Sequence, residues 1–328
     1  MVEWAAMERE PPSDPTALVV TAGETMALLV PPVPGRLRHA STLSVRAGGA
    51  ESNVAIGLVR LGVRARWVSA LGDDEVGELV LGRVRAEGVD TVVRRVAGCP
   101  TGLYLREEVA GAVRVHYYRR GSAASTLAPG DVDESVLDGA QWLHLTGITP
   151  ALSPGCAEFT RWLATLARDR GVRVSYDVNY RSKLWPAEDA RAFADGLLPL
   201  VDVLFAGLDE VEVLWGLDDE DEALARLVAA GPPEVVLKLG AEGCVADLDG
   251  QRLRSPGFPV TVRDPIGAGD AFAAGYLAAS VAGGEPAARL RTANALGAFC
   301  VQGAGDYESL PSRRELDAFL SDVTDPGR

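Results

Sequence analysis

Short runs of apolar, often β-branched residues alternate with longer stretches of helical periodicity along most of this chain. Residues 17–30, ALVVTAGETMALLV, read as strand, Gly23-Glu24 turn, strand. A proline loop covers 31–35, and 41–46 alternates weakly as another strand. Gly48-Gly49-Ala50-Glu51-Ser52-Asn53 then opens into an apolar stripe of Val54, Ile56, Leu58, Val59 and Leu61, stopped by Gly62. That is a glycine loop feeding a helix with a glycine stop. Residues 67–71 predict a strand and 75–87 a helix ended by Gly88. The alternation returns later, with strands at 141–146, 172–178, 201–206 and 234–239 and helices at 154–169, 187–198, 210–215 and 220–229. Residues 244–248 read as a hairpin partner of the last strand, and 287–301 and 312–320 as closing helices. Strand and helix in turn imply a mostly parallel sheet covered by helices on both faces.

Residues 91–120 break this rhythm with three β-type runs and no helix: TVVRRV, TGLYLREEV and AVRVHYYRR. Consecutive strands inside an α/β chain predict a small antiparallel flap. The period of two puts Val113, Val115, Tyr117 and Arg119 on one face and Arg114, His116 and Tyr118 on the other.

Residues 259–281, PVTVRDPIGAGDAFAAGYLAASV, organise the rest. A β-type run at 260–262 leads through Asp264-Pro265 to Gly267-Ala268-Gly269-Asp270, and then into a run of small and apolar residues. Strand, tight glycine turn and buried helix are expected. Glycines let the backbone approach a ligand, and the free amides at a helix start favour an anion. Asp270 adds a carboxylate there, suited to accept the proton of a hydroxyl that attacks a phosphate. Asp is also a common helix cap. The same four letters recur at Gly303-Ala304-Gly305-Asp306, but Tyr-Glu-Ser-Leu-Pro follows them instead of an apolar helix.

Composition narrows the classes. The chain has 328 residues, 47% hydrophobic and 24% charged, enough for a large core in one open α/β domain. A net charge of −14 argues against non-specific binding to nucleic acid or anionic membrane, and an anionic substrate would need a locally basic pocket. Cys99, Cys156, Cys244 and Cys300 are far apart, as expected of reduced, mostly buried thiols in a cytoplasmic protein. The three histidines form no metal-ligand cluster, no apolar run approaches transmembrane length, and residues 1–15 read as a frayed tail without the features of a signal peptide. GxxxxGK[ST] is absent, which argues against a P-loop enzyme. In an open parallel sheet, ligands sit beyond the carboxyl ends of the strands. Residues 48–53, 179–183, 207–210, 240–243 and 267–270 are placed there, and all carry glycine or polar residues.

With these segments in view, the chain resembles the PfkB, or ribokinase-like, carbohydrate kinases over nearly all of its length after the tail. GGAESNVA resembles the first family signature and DPIGAGDAFAAGYLAA the second; VHYYRRGSAASTL and SYDVNYRSKLW resemble the 2-keto-3-deoxygluconate kinases. The resemblance implies a three-layer αβα sandwich over 16–328, with a mostly parallel sheet and a β lid from about 28–47 and 91–120. It implies ATP-dependent phosphorylation of a sugar acid at C6, with Asp270 as the base and Gly267, Ala268 and Gly269 meeting the phosphate charge. Gly48, Gly49, Asn53, Tyr104, Tyr117, Arg119, Arg181 and Asp306 would meet the sugar acid, with Arg119 as the natural carboxylate partner because its fork binds two oxygens. Asn179, Gly207, Lys238, Gly240, Gly243 and Asn294 would serve ATP, and Glu210 would order Mg²⁺ through water. The usual Asn or Ser of that element is replaced here by Gly207. Many family members also hold a monovalent cation near Asp264; the sequence leaves that open. A kinase for a neutral sugar or a nucleoside, and a non-catalytic binder on the same fold, are the rivals. The exposed edge of a β flap favours a homo-oligomer.

Overall fold

The computed structural model describes residues 17–110 and 112–324. The tail expected over 1–15 lies outside them. In chain order come β1 (Leu18–Ala22), β2 (Met26–Val30), β3 (Ser44–Gly48), α1 (Ala50–Arg60), β4 (Arg64–Gly72) and α2 (Glu75–Ala86). Then follow β5 (Asp90–Val96), β6 (Leu103–Val109), β7 (Ala112–Tyr118), β8 (Ala140–Thr146), α3 (Pro154–Asp169), β9 (Arg173–Asp177) and α4 (Ala187–Leu197). The last part runs through β10 (Val203–Gly207), α5 (Leu208–Trp215), α6 (Glu220–Val228), β11 (Glu234–Lys238), β12 (Gly243–Leu248), β13 (Gln251–Pro256), α7 (Ala268–Val281), α8 (Pro286–Cys300) and α9 (Arg313–Thr324).

The main sheet has the order β13-β12-β11-β10-β9-β8-β1-β4-β5. It is parallel from β11 to β5, and β12 and β13 run antiparallel at one edge. Every residue of β1 is buried, and its side chains alternate: Val19 joins the core under α1, α7 and α8, while Leu18, Val20 and Ala22 join the core under α3 to α6. A strand covered on both faces reads as a continuous apolar run, as here. β4 and β5 lie on one side of β1 and β8 to β11 on the other, so the strand order reverses between β8 and β1, the place where open α/β sheets bind ligands beyond the carboxyl ends of their strands.

The smaller sheet has the order β3-β2-β6-β7; β2 pairs antiparallel with β3 and parallel with β6, and β6 pairs antiparallel with β7. The turn at Gly23-Glu24 thus sends β1 and β2 into different sheets.

Two expectations are corrected. TVVRRV is not part of the flap: it lies in β5, which pairs parallel to β4 at the edge of the main sheet and completes a β-α-β unit through α2. Residues 260–262 are not a strand. They have no ladder partner, and the amides of Arg263 and Asp264 instead donate to Val301 O at the end of α8. The strand of this region is β13, which the sequence reading missed. Within α7, a methyl on Gly275 would come within 2.9 Å of Ala293 Cα and Thr292 O in α8. Its lack of a side chain lets the two helices touch.

Candidate active site

The start of α7 is built by a backbone constraint. Gly267 caps the helix at φ 81°, and a side chain on it would collide with the carbonyl oxygen of Asp306. The second Gly-Ala-Gly-Asp turn therefore packs directly on the first. Helical geometry leaves the first-turn amides of α7 without acceptors inside the helix; Ala268 N has only a long 3.4 Å contact to Pro265 O. Asp270 sits in that first turn and is buried. Its carboxylate accepts from Asn53 Nδ2 at 2.9 Å and Asn179 Nδ2 at 3.5 Å. Asn53 comes from α1 and Asn179 from the loop after β9, where it holds φ 38°. Burial pushes the Asp270 carboxyl upward, the Asn53 bond opposes this, and the Asp177 charge adds to the rise. A carboxylate raised in this way is a stronger proton acceptor near neutral pH.

Register brings the next group together. In the parallel ladders Phe205 lies beside Asp177 and Gly207 beside Lys238, so β9, β10 and β11 end at one level. Lys238 Nζ is 2.8 Å from both oxygens of Asp177. A methyl on Gly269 would stand 3.3 Å from that nitrogen, so the ammonium lies against the start of α7. Burial alone would lower the Lys238 pKa, but Asp177 and Glu210 outweigh it and hold it above the usual lysine value. Arg181 is exposed on the neighbouring loop, and its charge reaches Asp270. Glu210 accepts from Gly207 N at 2.8 Å and Tyr180 N at 2.7 Å. Gly207 thus caps α5 through its backbone, and Glu210 replaces the missing cap side chain. Gly240 and Gly243, both at positive φ, turn the chain between β11 and β12. Asn294 is buried in α8 and donates to Ser255 O and Oγ at 3.0 Å, which ties α8 to β13.

The smaller sheet closes the opposite side. Tyr104 in β6 donates to Asp306 Oδ2 at 2.7 Å. Gly48, at the end of β3, faces this pair so closely that any side chain there would strike both, and Gly49 caps α1. Tyr117 stacks on Tyr104 with ring centroids 5.7 Å apart. Arg119 lies over the Tyr117 ring and pairs with Glu24 in the turn after β1, while its Nε finds no partner. Burial pushes Asp306 up to about 7, the bond from Tyr104 opposes this, and Asp270 adds to the rise. Asp306 Oδ1 is buried without a partner.

Contacts link the start of α7 to Asn53, Asn179, Lys238 and Asp306, and Asp306 to Tyr104 and Gly48, while Gly207 ends level with Lys238 and Asn294 packs on β13 from α8. The reading missed Asp177, although its YDVN context stands at a strand end beside a flagged loop. It also missed Glu24 and Glu51. Glu51 is fully buried, accepts from Thr146 and Thr149 at 2.7 and 2.8 Å, and is pushed by burial up to about 7. Only the fold brings β8 against α1 to reveal it.

For a divalent ion, no group of three or more His, Cys, Asp or Glu able to hold one occurs among the described residues. Both Glu210 oxygens serve backbone amides and both Asp177 oxygens serve Lys238. This fits Mg²⁺ only as an ion carried on phosphates with its own waters, which is how Mg²⁺ commonly binds. No helix among the described residues is long and apolar enough to cross a membrane.

Residues 16–313 match the profile of the pfkB family carbohydrate kinases. The chain is 38% identical over 307 residues to the 2-dehydro-3-deoxygluconokinase of Bacillus subtilis, covering 92% of this chain and 95% of that one. It is 35% identical to the enzyme of the same name from Thermoproteus tenax, over 98% and 99% of the two chains. The 2-dehydro-3-deoxygalactonokinase of Haloferax volcanii is 37% identical over 86% and 89%. Among solved structures, 2-dehydro-3-deoxygluconokinase from Thermotoga maritima superposes with a TM-score of 0.86 at 30% identity, covering 93% of this chain and 98% of that one.

Proposed function

The chain belongs to the pfkB family of carbohydrate kinases, and from that premise we propose that it transfers the γ-phosphoryl group of ATP to the C6 hydroxyl of 2-keto-3-deoxygluconate. The observation that carries this reading is the buried Asp270, held by Asn53 and Asn179 in the first turn of a helix whose first amides have no acceptor inside the helix.

In this reading the sugar acid lies between Gly48, Gly49, Asn53, Tyr104 and Asp306. Its carboxylate meets Arg119, whose Nε is unpartnered, and Arg181; Tyr117 packs over it. Asp270 takes the proton of the C6 hydroxyl as that oxygen attacks phosphorus, and the bond to the leaving ADP oxygen breaks. The amides of Gly267, Ala268 and Gly269 hold the charge that grows on the transferred group, at no reorganisation cost because the turn is preset. Lys238 stands beside them, oriented by Asp177. Gly207, Gly240 and Gly243 line the nucleotide side, and Asn294 holds β13 in place behind it. Mg²⁺ would neutralise phosphate charge, with Glu210 reaching it through water. The working compartment in this reading is the cytoplasm, and the open edges of the smaller sheet pair between subunits of a homo-oligomer.

ADP release with Mg²⁺ and a panel of both 2-keto-3-deoxy epimers, fructose, ribose and adenosine tests the reading. Turnover of a 2-keto-3-deoxy acid well above the neutral compounds is expected. Preference for fructose would move the chain toward the fructokinases, which are 31% identical to it, and no ADP from any compound would make it a binder.

A further inference from the structure

Asp264 lies three residues before the Gly267 turn and is 1% exposed. Its Oδ1 accepts from Ile266 N at 3.2 Å and its Oδ2 from Gly305 N at 3.1 Å. One buried carboxylate therefore ties the first Gly-Ala-Gly-Asp turn to the second, and the spacing of Gly267 against Asp306 depends on it. A buried carboxylate needs a countercharge. It comes from the other sheet: Arg106 of β6 places Nη1 2.5 Å from Asp264 Oδ2, with its own side chain only 10% exposed. The guanidinium charge also reaches Asp306.

A monovalent cation beside this aspartate is what the family resemblance brings up. The residues present do not fit one, because the carboxylate already carries two amides and a guanidinium. We propose that Arg106 is the resident cation of the turn before α7, standing in for a monovalent metal ion, so that the enzyme needs no such ion. Arg106 acts here as a positioning residue: it touches neither phosphate nor sugar, but holds the carboxylate that sets the two turns. Being covalently held on β6, it cannot exchange with solvent as a bound ion can. Because it rides on β6 beside Tyr104, it also couples the smaller sheet to the phosphate-binding turn.

The inference does not depend on which sugar is accepted, and a thermal readout without sugar keeps it separate from the substrate assignment. The intact protein would be measured in tetramethylammonium, sodium and potassium chloride at equal ionic strength. Equal melting temperatures and equal ADP formation are expected in all three. Activation by potassium of about tenfold or more, the ordinary scale of ligand coupling, or a potassium-specific rise in melting temperature, would overturn the proposal. Arg106→Ala is expected to lose ~10² in kcat, the scale of a disturbed anion-stabilising turn. It should regain activity and melting temperature with potassium or millimolar guanidinium, and Arg106→Lys should need neither. Arg106→Ala at the natural rate without added cation, or a loss that no cation restores, would also refute it. If Arg106→Ala does not fold, the natural protein and Arg106→Lys decide.

Discussion

At the scale of single residues, burial does most of the chemical work. Asp270 is an acid in a place where water cannot stabilise its charge, and two asparagine amides keep it aimed. Asp270→Asn should lose ~10²–10⁴ in kcat, the usual worth of a general base, with its melting temperature retained. The base must be ionised to accept a proton, and its pKa is raised. The kcat/KM profile should therefore fall on the acid side at a pH above the ordinary aspartate range, and a break at that ordinary value would contradict this. Glu51 makes the opposite kind of statement, about stability. Burial raises its folded pKa to about 7, above the ordinary glutamate value of 4.5. Its contribution is therefore full at acid pH and is lost as pH rises from 4.5 through 7. Glu51→Gln should match the natural protein near pH 4 and melt at a higher temperature at pH 8; equal melting at both would show that the carboxyl is not held protonated. Neither pKa was legible in sequence, because each depends on partners far along the chain.

At the scale of elements, glycines in helices separate close packing from simple flexibility. Gly275 in α7 faces the α8 backbone at 2.9 Å, while nothing lies within 4 Å of a methyl on Gly82 in α2. Gly275→Ala should destabilise by about 1–3 kcal/mol, as overpacking does, whereas Gly82→Ala should stabilise by about 0.5–1 kcal/mol. Denaturant titration of the two variants reads the difference directly. The same scale explains the misplaced strand and the mistaken one. A β-type run such as TVVRRV looks alike in either sheet, because periodicity records the faces of a strand and not its neighbour. Residues 260–262 have β propensity, but the chain there is held by the amides of Arg263 and Asp264, which donate to Val301 O at the end of α8.

At the scale of the molecule, β7 is an edge strand of the smaller sheet, and its Tyr118 is 65% exposed. If the proposed homo-oligomer pairs through this edge, Tyr118→Asp should sediment as a lighter species than the natural protein; an equal mass would contradict pairing through this edge. The chain by itself determined the alternation of strand and helix, the glycine turn before Asp270 and the loops that carry the site, because each is a local matter of periodicity and turn chemistry. Only the tertiary structure decided that β5 joins the main sheet, that the second Gly-Ala-Gly-Asp turn braces the first, and that Asp177 meets Lys238 and Arg106 meets Asp264. Those pairings join segments tens to hundreds of residues apart, and no local pattern records which carboxylate a distant cation will reach.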